Sequence, residues 1–270
     1  MHKISLSLVL FNTSIEDVLR LVNESMNLRN LSQFYIIDNS PSKSELKFED
    51  DKVTYIFTGK NLGYGAGHNV AIRDAIKIGS EFHVVINPDI YFDFQDLERM
   101  IQHMIENPLI GHLMPRITNQ EGELQYMCKT LPSPVDLFLR SFAKSLISES
   151  RDQKYHLKML DYTKDIEAPY LSGCFMILRV EALKEIGLFD ERFFMYPEDI
   201  DLTRRMTLKH KTVYFPNVSV IHRHEKASFK SMKMKLIHMK NMIKYFNKYG
   251  WVIDINRYKL NKKAINQVQK

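Results

Sequence analysis

The stretch Val84-Val85-Ile86-Asn87-Pro88-Asp89 decides the fold: three β-branched apolar residues stop abruptly at an Asn-Pro-Asp corner. Such a run, bounded by proline, reads as a short strand covered on both faces. Pro88 has no N–H and cannot extend a central ladder, so the strand ends there and Asp89 lies at its carboxyl edge. Ligands of open α/β sheets bind outside those edges, where a carboxylate is well placed to hold a divalent cation against a phosphate. Asn, Pro and Asp also favour a plain turn, and on this stretch alone both readings stand.

Working outward, Ile4 to Phe11 reads as a first buried strand, and Thr13 or Ser14 caps a helix whose apolar positions Val18, Leu19, Leu21 and Val22 follow a helical period. Phe34 to Ile37 is a second strand that ends in Asp38-Asn39-Ser40-Pro41, again delivering an acid and small polar groups to a carboxyl end. Val53 to Phe57 is a third, followed by the glycine-rich segment from Gly59 to Asn69 and a helix through Val70, Ile72, Ile76 and Ile78. This rhythm predicts an α/β fold built on a parallel, doubly wound sheet. Gly63, Gly65 and Gly67 are spaced Gly-x-Gly-x-Gly and stand several residues after the strand, whereas the dinucleotide fingerprint needs its tight turn directly after it. Two readings remain for the segment: a flexible loop before a helix, or a backbone that, with Asn69, approaches a bound nucleotide closely.

Beyond the corner, Asp96 to Ile105 reads as an amphipathic helix and Leu109 to Met114 as a strand. Residues 118–165 contain Pro132, Pro134 and a charged run from Ser148 to Lys158, and read as an irregular, mobile insertion without assigned chemistry. Tyr170-Leu171-Ser172-Gly173-Cys174 opens an apolar strand through Leu178, and Gly187-Leu188-Phe189-Asp190 is a helix stop and turn. A second acidic cluster follows Pro197, with Glu198, Asp199 and Asp201 at a helix N-terminus, where the macrodipole favours negative charge. That structural role suffices by itself. The neighbouring Phe193, Phe194 and Tyr196 support another, since desolvation beside apolar surface raises a carboxylate's pKa and suits it to accept a proton. Val213 to Phe215 and Val218 to Ile221 are late strands, and the second delivers His222 and His224 on one face of an extended segment, either as surface residues or as ligands of a metal or phosphate.

A chain of 270 residues with 44% hydrophobic and 26% charged content is not disordered by default. No run approaches the roughly 20 apolar residues of a membrane span, and the run Leu6 to Phe11 has no small-residue cleavage site, so a secretory signal is not expected. Cys128 and Cys174 lie far apart without metal spacing, as suits a reducing cytoplasm. The net charge of +6 is unevenly spread: His222 to Lys270 holds thirteen Lys and Arg against two acids, +11, which leaves −5 for the body. From Phe229 to Trp251, Met232, Leu236, Met239, Met242, Ile243 and Phe246 recur at helical spacing among Lys230, Lys233, Lys235, Lys240, Lys244 and Lys248. This basic amphipathic helix either packs its Met stripe on the core or lies on an anionic membrane. A nucleic-acid-binding tail is the competing reading, and it leaves the acidic clusters without a role.

Taken in order, Ile37-Asp38-Asn39-Ser40, Asn61 to Asn69, Asn87-Pro88-Asp89, Leu171-Ser172-Gly173, Phe189-Asp190, Phe194 to Asp201 and His222 resemble the inverting family-2 glycosyltransferases of the GT-A fold. Within that family they are similar to the rhamnosyltransferase-like enzymes of bacterial surface-polysaccharide (O-antigen) assembly. The resemblance runs from Ile4 to about Ser228. It implies a Rossmann-like, mostly parallel central sheet flanked by helices in residues 1–228, with a basic helical appendage in 229–270. It also implies that Asp38 contacts the nucleotide base, with Asn39, Gly65 and Asn69 nearby, and that Asn87 and Asp89 stand at the donor diphosphate. Asp89 with His222, or with the neighbouring His224, would hold Mg²⁺ or Mn²⁺. Ser172, Gly173 and Glu198 would face the acceptor, and Asp199 would be the general base, with Asp201 its rival. The implied donor is a dTDP- or UDP-linked rhamnose or other hexose. The implied acceptor is a hydroxyl of a growing, lipid-linked cell-surface polysaccharide at the inner face of the cytoplasmic membrane, with no nucleic acid as partner. A catalytically dead sugar-nucleotide binder stays open. So does a nucleotidyltransferase, which would want a basic phosphate-binding loop near the N-terminus where Phe11-Asn12-Thr13-Ser14 stands.

Overall fold

The computed structural model describes residues 2–223 and 232–269. In chain order the elements are β1 (Ile4–Leu10), α1 (Ile15–Ser25), β2 (Leu31–Asp38), β3 (Val53–Phe57), α2 (Tyr64–Lys77), β4 (Phe82–Ile86), β5 (Ile90–Tyr91), α3 (Phe94–Glu106), β6 (Ile110–Thr118), β7 (Cys128–Lys129), α4 (Pro134–Phe142), α5 (Glu149–Tyr155), β8 (Ile166–Glu167), β9 (Tyr170–Leu171), β10 (Phe175–Arg179), α6 (Val180–Ile186), α7 (Glu198–Thr207), β11 (Lys211–His222), α8 (Met232–Tyr249) and α9 (Ile255–Ile265). The main sheet runs β3-β2-β1-β4-β10-β6-β11-β5, with β8 paired to β11.

All five residues of β4 are buried, and their alternation divides the core. Val84 and Ile86 join Leu6, Leu8 and the α1 and α3 residues Val18, Leu21, Leu97 and Met100 on one face. Val85 points the other way, into a cluster with Ile72 of α2 and with Met176, Leu178, Leu202 and Met206. A sheet covered on both faces accounts for the near-continuous apolar run.

Strands β1 to β4 are mutually parallel, as the sequence predicts. The parallel pattern then breaks: β10 is antiparallel to both β4 and β6. The chain re-enters the sheet from the 118–165 segment rather than by a helical crossover, and nothing then forces a parallel return. The sheet is therefore mixed. The 118–165 segment is ordered rather than irregular. β7 pairs with β9, α4 opens with a reciprocal Ser133–Asp136 capping box, and Arg140–Asp152 and Arg151–Asp136 ion pairs of 3.0 and 2.7 Å tie α4 to α5.

The glycine-rich segment is less of a loop than its composition predicts, because α2 starts at Tyr64 and includes Gly65 and Gly67. Gly63 has φ of 87°, and a Cβ there would stand 2.0 Å from the carbonyl oxygen of Phe194. Only glycine admits that approach.

In the tail, Met242, Tyr245 and Phe246 of α8 are buried against Leu131, Phe193 and Ile200, so this part of the stripe faces the core. Arg204 of α7 makes two bonds of 2.7 and 2.6 Å to Asp254, the residue that caps α9. No helix among the described residues is long and apolar enough to cross a membrane.

Candidate active site

The register of the sheet assembles the site. Leu10 pairs with Asp38 and Asp38 with Phe57, so Asp38 ends β2 on the same edge at which β4 stops. The Asn87-Pro88-Asp89 corner is indeed a turn, closed by the Ile90 N–H donating to the Asn87 carbonyl at 3.3 Å. The turn is also the means of delivery, because it starts β5, and β5 pairs antiparallel with the end of β11 through Ile90 opposite His222. His222 Nε2 thereby lies 3.2 Å from Asp89 Oδ2. Burial disfavours the charged imidazole, yet hydrogen bonds to Asp89 and Cys174 outweigh it and push the His222 pKa up to about 10. His224 lies outside the described residues.

A second line of contacts leads from this corner to the acidic helix. The Tyr64 hydroxyl stands 3.0 Å from Asn87 Oδ1 and 2.6 Å from the Gly173 carbonyl. The Gly173 N–H donates to Asp199 Oδ2 at 3.1 Å, the Tyr170 hydroxyl approaches the same oxygen at 3.3 Å, and Ile200 N–H donates to Asp199 Oδ1 at 2.8 Å. Burial raises the Asp199 pKa, and the Lys129 charge with the two backbone donors only partly offsets it. The adjoining Glu198 is 4% exposed. Burial, with the charge of Asp199 beside it, pushes its pKa well up. Its Oε2 has no hydrogen-bond partner among the described residues. A Cβ on Gly173 would stand 3.1 Å from Asp199 Cβ, so the bare backbone lets the two segments close.

Asp201 is differently placed. It is fully buried and accepts from Arg205 Nε at 2.8 Å, from Tyr249 at 2.6 Å and from Lys248 Nζ. Those contacts tie α7 to α8 and leave Asp199 as the carboxylate on the Gly173 side.

The other expected donor-site residues separate into those at the sheet edge and those beneath it. Asp38 accepts from Ser40 N–H at 2.9 Å and Tyr55 hydroxyl at 2.6 Å; burial would raise its pKa, and these bonds hold it below the usual carboxylate range. Asn39 donates to the Gly63 carbonyl at 3.0 Å, tying the end of β2 to the start of α2. Asn69 donates to the Phe189 carbonyl and to Glu191 Oε1, both at 2.9 Å, and accepts from Phe189 N–H at 3.0 Å. Both its N–H donors brace the 189–191 turn. Gly65 packs on Phe189 and Glu198 Cβ, and Ser172 adjoins Gly173 between β9 and β10.

Three neighbours of Asp199 have no counterpart in the sequence reading: Tyr64, Lys129 and Tyr170. Lys129 Nζ lies 5.0 Å from the Tyr170 ring centre. Tyr64 was discoverable as the one aromatic inside the glycine-rich segment. Lys129 and Tyr170 carry no local signal, because the β7–β9 pairing alone brings them to the acid.

A divalent cation fits the corner by the chemistry of its donors. Asp89 and His222 offer one carboxylate and one imidazole, and among the described residues no cluster of three or more His, Cys, Asp or Glu exists that could hold an ion without help. A hard cation held by one or two protein groups completes its shell with phosphate oxygens and water. The site thus has an acid–imidazole pair, Asp89 with His222, at one end and a carboxylate of raised pKa, Asp199, at the other.

Comparison with known proteins gives the family. Residues 10–187 match the model of Glycosyl transferase family 2. The chain is 29% identical over 204 residues to the low-salt glycan biosynthesis hexosyltransferase Agl10 of Haloferax volcanii, covering 74% of this chain and 61% of that protein. It is 26% identical over 198 residues to the N-acetylglucosaminyl-diphospho-decaprenol L-rhamnosyltransferase of Mycobacterium tuberculosis, covering 68% of this chain and 62% of that protein. Among solved structures, GalNAc-T7 with UDP, GalNAc and Mn²⁺ superposes with a TM-score of 0.59 at 14% identity, over 82% of this chain and 44% of that one. The fold is that of the GT-A glycosyltransferases. This chain belongs to glycosyltransferase family 2. It spans a little over three-fifths of the length of these two curated relatives.

Proposed function

We propose that the chain transfers a sugar, rhamnose or another hexose, from a dTDP- or UDP-linked donor to a hydroxyl of a lipid-linked saccharide in cell-surface polysaccharide assembly, with inversion at the anomeric carbon. The observation that carries this reading is the hydrogen-bonded path from Asn87, two residues before Asp89, through Tyr64 and Gly173 to Asp199. The path supports a cation site at the Asn87–Asp89 end and a proton acceptor at the Asp199 end. In this reading residues 1–228 carry the reaction, 229–270 form a basic helical unit, and the enzyme works at the inner face of the cytoplasmic membrane.

Asp38 and the ordered 38–44 segment receive the nucleotide base, while Asn87, Asp89 and His222 stand at the diphosphate. A divalent ion, Mg²⁺ or Mn²⁺, would be held by Asp89 and by His222 once its imidazole has given up its proton, and would supply positive charge to the departing diphosphate. Asp199 accepts the proton of the acceptor hydroxyl, and the Gly173 and Ile200 N–H groups fix its orientation. Its raised pKa makes it a better acceptor than an exposed aspartate. Ser172, Gly173 and Glu198 border the acceptor. Glu198 and Asp199 lie side by side in the buried site, where the charge of Asp199 disfavours ionisation of Glu198.

The test is product analysis. The full chain with Mn²⁺, dTDP-rhamnose or a UDP-hexose, and a short-prenyl diphosphate-linked N-acetylglucosamine is expected to give one added sugar with inverted anomeric configuration by NMR. Retention of configuration would remove Asp199 from the role of base, and sugar release to water alone would remove the acceptor class.

A further inference from the structure

The apolar stripe that the helical periodicity marks on α8 is divided: Met232, Leu236 and Ile243 are exposed, whereas its inward part, with Met242 and Phe246, is buried. The turn between α8 and α9 also exposes Trp251 at 45%, Val252 at 86%, Ile253 at 81%, Ile255 at 63% and Tyr258 at 66%. Single exposed apolar residues are ordinary, whereas five within eight positions form a patch that marks an interaction surface.

The patch is held out by rigid structure. Gly250, with φ of 102°, ends α8, and its N–H donates to the Phe246 carbonyl at 2.7 Å. Asp254 then anchors the turn through its paired bonds to the buried Arg204 and by accepting from Arg257 N–H at 2.9 Å. Trp251 is steadied by its Nε1–H donating to Asn247 Oδ1 at 2.8 Å and by the Phe246 ring 5.2 Å away. With the inward-facing residues fixed, Val252 and Ile253 cannot fold back onto the core.

The surrounding charge selects the partner. From Gly250 to Gln269 the cations are Arg257, Lys259, Lys262 and Lys263, of which Lys263 is paired with Glu167 at 2.7 Å, and the one acid, Asp254, is held by Arg204. Two such surfaces repel each other, which disfavours a second copy as the occupant. An aliphatic tip with a flanking Trp and Tyr and a ring of cations suits a bilayer interface: aliphatic groups enter the acyl region, the aromatic rings sit at headgroup level and the cations meet anionic headgroups.

We propose that the Trp251–Tyr258 turn is the membrane-docking surface of this protein and that its partner is an anionic phospholipid bilayer. It rests on the lipid-linked acceptor reading only for its purpose, since docking is measurable without any transfer. Near the middle of α8 the His238 ring lies 5.3 Å from that of Tyr196, two residues before Glu198. From His238 to Trp251 the chain runs roughly 20 Å at helical rise, so α8 would link the docking turn to the reaction site.

The chain contains a single tryptophan, which makes Trp251 emission a reporter of the turn itself. With vesicles of equal parts phosphatidylcholine and phosphatidylglycerol, its emission is expected to shift to the blue and to be quenched by brominated acyl chains. Vesicles of phosphatidylcholine alone should bind much more weakly, since each cation near an anionic surface is worth roughly fivefold in partitioning. Val252→Ser with Ile253→Ser should abolish co-sedimentation, and Lys259→Gln with Lys262→Gln should lower it by roughly an order of magnitude or more, both with nucleotide-induced thermal stabilisation unchanged. Unshifted Trp251 emission on vesicles, or co-sedimentation that survives Val252→Ser with Ile253→Ser, overturns the proposal. Docking without sugar transfer would leave it standing while removing the catalytic reading.

Discussion

At the scale of single residues, Asp199 and Asp201 sit two positions apart on one helix and have different work. Asp199 keeps a raised pKa beside Gly173, whereas Asp201 is locked to Arg205, Lys248 and Tyr249. Asp199→Asn preserves volume and removes proton acceptance, so transfer should fall about 10²- to 10⁴-fold with metal-dependent nucleotide binding intact. Rate assays beside nucleotide titrations check this, and a variant of native activity would dismiss Asp199 as the base. Asp201→Asn leaves Lys248 and Arg205 facing a neutral amide in a buried setting. It should lower stability in urea unfolding by less than the roughly 3 kcal/mol of an uncompensated buried charge, because Lys248 keeps Asp190 at 2.8 Å and Arg205 keeps the carbonyls of residues 186–188, with any loss of rate following the loss of fold.

At the scale of elements, the start of α2 is joined to the segment that leads into α7. Tyr64 N–H donates to the Phe194 carbonyl at 3.0 Å, and Gly63 passes against that same carbonyl. Gly63→Ala should therefore cost roughly 1–3 kcal/mol from its positive φ, and should also push the 193–197 segment away from α2. Lower transfer at temperatures where the variant is still folded is the expected reading; native activity with an unchanged melting temperature would contradict it. The strands β1 to β4 were legible because each is an apolar run with its own stop signal. The reversed direction of β10 was not, since Phe175 to Arg179 has the same local character in either orientation and only its long-range partners decide. Asn69 shows the same limit inside the site. An Asn after a glycine-rich segment looks alike whether it meets a ligand or braces a turn, and only the position of Phe189, 120 residues away in sequence, separates the two.

At the scale of the whole molecule, the buried histidines tie stability to pH. His83 joins Ser5 and Ser7, each hydroxyl 2.8 Å from a ring nitrogen, and His68 meets Ser7 at 2.7 Å, an uncharged network under the sheet edge. Burial pushes His83 and His112 down to about 3 and lowers His68 as well. The unfolded chain, with histidine pKa near 6.5, then binds protons that the folded chain refuses, so stability falls as pH drops from about 6.5 toward 3. At pH 5 His83 and His112 should each cost on the order of 2 kcal/mol. Glu198 and Asp199, whose pKa burial raises, act in the opposite sense and add stability as pH falls. Urea unfolding at pH 7 and pH 5 of a Glu198→Gln, Asp199→Asn chain, which removes those opposing carboxyls, measures the histidine contribution, and equal stabilities there would contradict it. The tail shows how far composition carries: its charge and helical period were legible, but which apolar residues face inward depended on the Arg204–Asp254 pair, which joins α7 to the cap of α9 and leaves no local trace.

In the proposed reaction Asp89 and His222 hold a cation, and the cation holds the nucleotide diphosphate. Thermal unfolding with dTDP, UDP and their sugar conjugates, with and without Mn²⁺, tests it most directly on the native chain and on Asp89→Ala. A nucleotide at a hundredfold excess over its Kd should raise the native melting temperature on the order of 5 °C, only when Mn²⁺ is present, and should leave Asp89→Ala unmoved. An equal rise in Asp89→Ala, or none in the native chain with any nucleotide, would contradict it.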